Sequence, residues 1–210
     1  MKIKKGCALF HANDPLHFLY TVSAGTFKTC LSDNEGRERV TNFFMPSDMI
    51  GLDAISTERH TCSAFALEDS VVFPISYYRW ILLPGDFPTI KQSLTQLLSR
   101  EIIHDHEMLL MLCSLNADGR LANFLVSLSS RFVKRGYSAN KFVLSMSRRD
   151  IGSYLGLRLE TICRSINSLR TLNIVKFTGR SVEIVDMLAL KAVEQGCEKR
   201  NKRWSIGHCF

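Results

Sequence analysis

Glu160, Cys163 and Arg164 stand at i, i+3 and i+4 in the run Leu159-Glu160-Thr161-Ile162-Cys163-Arg164-Ser165-Ile166-Asn167-Ser168-Leu169. At about 100° per residue, Leu159, Ile162, Ile166 and Leu169 fall in one apolar stripe. Glu160, Arg164 and Asn167 gather on the opposite side, with Cys163 on the flank. An arginine on such a face can pair bidentately with guanine O6 and N7, and a glutamate can accept from cytosine N4. The simpler reading is an exposed Glu-to-Arg pair worth a few tenths of a kcal/mol. What precedes the helix favours the nucleic-acid chemistry. Ser147 with Asp150 three positions on has capping-box spacing, Ile151 and Leu155 form an i, i+4 apolar pair, and small Gly152 permits close approach. Gly156 can take the positive φ of a tight interhelical turn. Together these residues predict a helix-turn-helix over about 148–167.

Charge is placed accordingly. Residues 1–130 carry 11 Lys/Arg against 14 Asp/Glu, whereas residues 131–210 carry 16 against 6, so the +7 of the chain comes from a +10 half. A basic half around the motif suits a phosphate backbone. A hydrophobic content of 46% and a charged content of 22% are those of an ordinary globular protein. No apolar run has the length of a membrane span, and no signal-peptide segment follows Met1-Lys2-Ile3-Lys4-Lys5. Seven scattered cysteines suit reduced thiols in a cytoplasm.

Other reactive constellations are weak. His104-Asp105-His106-Glu107 looks metal-like, but helical i, i+2 residues diverge by about 200°, so one ion cannot take both histidines. Cys197 with His208-Cys209 lacks paired zinc spacing, and His60 with Cys62 gives only two ligands. Cys30, Cys62 or Cys163 could serve as a redox thiol, the basic setting of Cys163 being the one feature that would lower a pKa. No Gly-rich phosphate loop, nucleophile elbow or acid–base pair points to an enzyme. No metal or cofactor is expected.

The surrounding elements give an α+β chain. Short strands at Leu16–Val22, Thr26–Leu31, Arg39–Phe44 and Ser70–Ile75, separated by turn signals, predict an antiparallel β-roll or sandwich over 1–88. A long helix follows over 89–114. In it Leu98, Ile102, Asp105, Leu109 and Leu112 keep 4-3-4-3 spacing, a seam able to pair with a second copy. Leu94, Leu97, Met108 and Met111 make a second stripe able to cover the strands. Asp105 interrupts the seam, and facing carboxylates would oppose association and tune it. The region 115–193 holds a helix at about Asp118–Lys134, the motif, and a hairpin of Ile174–Phe177 and Ser181–Val185 with Arg180 at its tip, as a DNA-touching wing would have. Residues 194–210 read as a basic, mobile tail.

Strand-rich roll, long helix and winged helix-turn-helix, in that order, resemble the CRP/FNR family of bacterial transcription regulators, and most closely its FNR branch. Arg149-Asp150-Ile151-Gly152-Ser153-Tyr154-Leu155-Gly156-Leu157-Arg158-Leu159-Glu160-Thr161-Ile162-Cys163-Arg164 follows the motif of that branch. So do Ser23-Ala24-Gly25-Thr26-Phe27-Lys28, Asp48-Met49-Ile50-Gly51-Leu52-Asp53-Ala54-Ile55 and Arg131-Phe132-Val133-Lys134-Arg135-Gly136-Tyr137-Ser138. The resemblance implies a homodimer on double-stranded DNA at a pseudo-palindromic TTGAT-type site. It implies base contacts from Glu160, Cys163 and Arg164, with Cys163 in place of the usual serine. Ser147, Arg149, Arg158, Thr161 and Arg180 would then contact the DNA backbone, and an activating contact with RNA polymerase would lie at the turn Ser32–Arg37, where Arg37 changes the usual charge. FNR proteins carry an iron–sulfur cluster on cysteines of an N-terminal extension and one cysteine of the roll. Here the chain begins where the roll begins, and Phe73 stands at the internal position, so no cluster is expected. The Gly-Glu segment and Arg-Ser pair that hold a cyclic phosphate in CRP-type pockets are missing from Ile50–Cys62, where Arg59 is the one available cation, so no cyclic nucleotide is expected either. The rival readings are a thiol-based redox regulator and a dimeric adaptor that does not bind DNA.

Overall fold

The computed structural model describes residues 1–33, 35–78 and 88–196. The predicted tail beyond 196 and the end of the predicted roll at 79–87 lie outside the described residues. By internal contact the chain divides into two compact units, and the division is not sequential. One unit comprises Met1–Met108 with Ser145–Gly156, the other Leu109–Leu144 with the chain from Leu157 onward.

The first unit is the expected roll, built of two four-stranded antiparallel sheets. One orders β1 (Lys2–Ile3), β8 (Ser70–Ser76), β3 (Phe18–Ala24) and β6 (Met49–Ile50). The other orders β2 (Ala8–Phe10), β7 (Ser63–Ala66), β4 (Phe27–Ser32) and β5 (Glu38–Phe44). Phe10, Val22, Phe27, Phe44, Ile50 and Val72 form a shared apolar cluster, the burial that offsets the entropy of ordering so many short strands. The short strands β1, β2, β6 and β7 went unpredicted: at two to four residues they show no period, and only non-local pairing makes them strands. Between β3 and β4, Gly25 has φ +87°, and a Cβ there would fall 2.1 Å from Ser70 Oγ, so both backbone freedom and the missing side chain are needed.

The long helix α1 runs from Pro88 to Ser114. Met111 is buried, and Leu94, Leu97 and Met108 are half-buried.

The second unit holds α2 (Ala117–Val133), α4 (Leu159–Thr171) and α5 (Met187–Glu194), with a three-stranded sheet ordered β10 (Val175–Thr178), β11 (Ser181–Ile184), β9 (Lys141–Val143). Asn116 caps α2 by accepting from Gly119 N at 2.8 Å, and Asp118 then accepts from Ser168 Oγ of α4 at 2.7 Å. In this unit the sequence reading missed two elements. Strand β9 adds a third member to the predicted two-stranded wing, and α5 follows it; Asp186, which accepts from Ala189 N at 2.8 Å, is a cap signal that marks the start of α5.

Candidate DNA-reading interface

Helix α3 (Arg148–Tyr154) opens with a closed capping box. Ser147 Oγ accepts from Asp150 N at 3.1 Å, while Asp150 Oδ2 accepts from Ser147 N at 2.9 Å and from Ser147 Oγ at 2.6 Å. The donors freed at a helix start are thereby satisfied. The hydroxyl proton of Ser147 is committed to Asp150, so a phosphate bond from that hydroxyl requires the box to open. Ile151, Gly152 and Leu155 are buried as predicted, and Gly156 has φ +64° at the turn. Arg148 and Arg149 are exposed.

In α4, Ile162, Ile166 and Leu169 are fully or nearly fully buried. Leu159 departs from the predicted stripe: it is 41% exposed, because as the first residue of the helix it lies beyond the packed turns. Glu160, Arg164 and Asn167 are exposed, and Cys163 and Thr161 half-buried. The three candidate base readers therefore share one accessible face. Arg164 Nη2 lies 3.4 Å from Thr161 Oγ1 rather than forming the simple i, i+4 pair with Glu160. Arg158 occupies the N-cap position without a side-chain capping bond, exposed at the positive end of the helix dipole. At the hairpin tip Arg180 is exposed beside Gly179, and its carbonyl accepts from Leu144 N at 2.9 Å.

On the seam of α1, Ile102 is 56% and Leu109 61% exposed, Asp105 is exposed, and Leu98 and Leu112 are half-buried. Ile103 and Leu110 are also exposed, which widens the apolar face. At the turn Ser32–Arg37, Arg37 folds back: its Nε donates to Asp33 at 2.7 Å and its Nη1 pairs with Glu35 at 2.7 Å. The side-chain and backbone bonds that Arg37 donates to Asp33 hold this carboxyl below its usual range.

A cavity of about 500 Å³ lies within the first unit. Its walls carry Asp53, Glu101 and Asp105, the hydroxyls of Thr29, Thr41 and Thr61, and no lysine or arginine among the described residues. Asp53 collects donors from Thr61 N at 2.8 Å, Cys62 N at 3.3 Å and Cys62 Sγ at 3.4 Å. Burial would push this carboxyl up, but the bonds from His60, Thr61 and Cys62 hold it below its usual value. Arg59, the one cation considered for a phosphate, instead donates to Asn13 O at 2.7 Å. His60 stacks on Phe10 with ring centroids 3.6 Å apart, a core position.

Two of the three candidate redox thiols are poorly suited to that role. Cys30 and Cys62 are buried; burial pushes Cys30 up to about 11 and Cys62 higher still, so neither forms a thiolate readily. No group of three or more His, Cys, Asp or Glu among the described residues could hold a metal ion. Phe73 is 64% exposed on β8. No helix among the described residues is long and apolar enough to cross a membrane.

Comparison with known proteins agrees with this architecture. A family described as cyclic nucleotide-binding domain matches residues 1–80, and one described as Crp-like helix-turn-helix domain matches residues 119–193. The anaerobic regulatory protein of Pasteurella multocida is 42% identical over 204 residues, covering 97% of this chain and 74% of that protein. The transcriptional activator protein Anr of Pseudomonas protegens is 41% identical over 194 residues, covering 92% and 80%. Among solved structures, FixK2 from Bradyrhizobium japonicum superposes with a TM-score of 0.85 at 28% identity, covering 92% of this chain and 96% of that one. These relatives are regulators rather than enzymes, and with roll, long helix and winged motif all in place the chain belongs to the CRP/FNR family of transcription regulators.

Proposed function

We propose that this protein is a dimeric, cytoplasmic regulator that reads a pseudo-palindromic TTGAT-type site, independently of an iron–sulfur cluster or a cyclic nucleotide. The observation that carries the reading is the face formed by exposed Glu160 and Arg164 with half-buried Cys163, on a helix whose opposite side is buried through Ile162, Ile166 and Leu169. Arg164 and Glu160 read base edges. Cys163 replaces a hydroxyl donor by a softer thiol that still suits a thymine methyl. Arg149, Arg158, Thr161 and Arg180 supply backbone contacts, joined by Ser147 when its box opens. Dimerisation through Leu98, Ile102, Asp105, Leu109 and Leu112 is supported by the exposed apolar row on α1. The turn Ser32–Arg37, internally paired, is the activating contact with RNA polymerase.

The ligand-free part of the reading rests on the cavity. A cyclic phosphate needs cations or convergent donors, and walls bearing three carboxylates and no lysine or arginine do not fit one. For a cluster, Phe73 offers no donor atom at the position where the resemblance expects a ligand.

The test is binding of the full chain to a duplex with two inverted TTGAT half-sites, measured across salt. Preference for that duplex over a scrambled one, with affinity falling log-linearly in salt, is the expected result. Equal affinity for both duplexes overturns the sequence-specific reading. No binding at low salt leaves the adaptor as the better description. Unchanged affinity on adding a cyclic nucleotide is also expected.

A further inference from the structure

The segment Ser145–Gly156 is held by the strands of the roll at several points along its length. Lys28 Nζ on β4 lies 2.7 Å from Asp150 Oδ1, both side chains less than one-fifth exposed. Glu68 Oε1 accepts from both Thr26 Oγ1 at 2.7 Å and Ser145 Oγ at 2.8 Å. On β5, Val40 N donates to Ser153 Oγ at 2.9 Å, and the Phe43 and Tyr154 rings meet with centroids 5.1 Å apart. The approach to α3, its first turn and its last turn each have their own anchor. Burial alone would lower the Lys28 pKa and raise that of Asp150; the bond to Asp150 reverses the first, and the bonds from Lys28 and Ser147 reverse the second, as expected of a charged pair.

We propose that Lys28 is a positioning residue for DNA reading, acting through Asp150. A seven-residue helix does not hold its own geometry in water. Its start is set by a carboxylate that caps the helix with one oxygen and takes Lys28 with the other. A pair this shielded contributes little net stability, because desolvation offsets attraction; what it supplies is one definite geometry. The clamp is compatible with DNA contact, since Arg148 and Arg149 remain exposed while Asp150, Ser153 and Tyr154 are engaged with the roll. Only Leu155–Arg158 separate α3 from α4, so a loosened α3 passes its freedom to the start of the reading helix within one short connection.

The inference rests on the DNA-reading assignment above, and its test separates the two. Full-length Lys28→Gln, Lys28→Arg and Ser153→Ala are compared with the native chain on the TTGAT duplex and on a scrambled duplex. Hydrogen exchange is followed over Ser147–Tyr154. Lys28→Gln should lose about five- to tenfold in affinity for the TTGAT duplex alone and exchange faster across α3. Lys28→Arg should restore both, and Ser153→Ala should show a smaller loss in the same direction. Unchanged exchange, tighter binding, or equal losses on the two duplexes would overturn the positioning role. If Lys28→Gln does not fold, Ser153→Ala decides by the same criteria. If the native chain does not discriminate the duplexes, the DNA-reading assignment fails on its own, and the exchange of α3 alone decides whether Lys28 holds it.

Discussion

Arg164 and Lys28 are both cations of a DNA-binding chain, yet they should fail differently. Arg164 stands exposed on the reading face, so Arg164→Ala is expected to cost about 1–3 kcal/mol on the TTGAT duplex and little on a scrambled one, measured by equilibrium titration at fixed salt. An equal loss on both would reduce Arg164 to a phosphate contact. The polar face of α4 was legible because it is local: residues three and four apart on a helix are neighbours whatever else the chain does. The partner of Asp150 was not legible. Its capping spacing to Ser147 can be read across three residues, but Lys28 is 122 positions away, and nothing near a strand lysine marks the carboxylate it will meet.

Helix α3 shows how one element couples local and distant forces. Asp150 is held below its ordinary 3.8, so its contribution is fully present above that value and is lost as pH falls through the lowered one. Lys28 is held above its ordinary 10.5, so its contribution is full below that value and lost as pH rises through the raised one. Between those limits the clamp is fully charged. Denaturant unfolding should therefore find Asp150→Asn less stable than the native chain by roughly 1–2 kcal/mol at pH 7, with the difference shrinking as pH falls below 3.8. A constant difference across that range would remove the charge from the account. On α1 the matter is association. Asp105 interrupts an otherwise apolar exposed row, and Asp105→Ala should tighten self-association severalfold in sedimentation experiments, since desolvating two like charges opposes pairing. An unchanged dimer constant would place Asp105 at a solvated rim. The heptad spacing of α1 and the apolar stripe of α4 announced themselves by period. Strand β9 could not: Lys141–Val143 is three residues long and exists as a strand because β11 pairs with it.

At the scale of the molecule, order along the chain and grouping in space part company. The sequence reads as roll, helix and DNA-binding region in succession, and the matched families follow that order, at residues 1–80 and 119–193. Contacts instead assign Ser145–Gly156 to the roll, so the line between the two compact units passes through the helix-turn-helix itself. The reading half is therefore not an autonomous module. A fragment begun at Leu109 would keep α4 and the wing but strip α3 of Lys28 and Val40 and its approach of Glu68, and a roll ended at Met108 would lose the helix that covers β5. Recombination that exchanged one regulator's DNA-binding half for another's would have to exchange the matching surface of β4 and β5 as well, and that requirement ties the evolution of the two halves together.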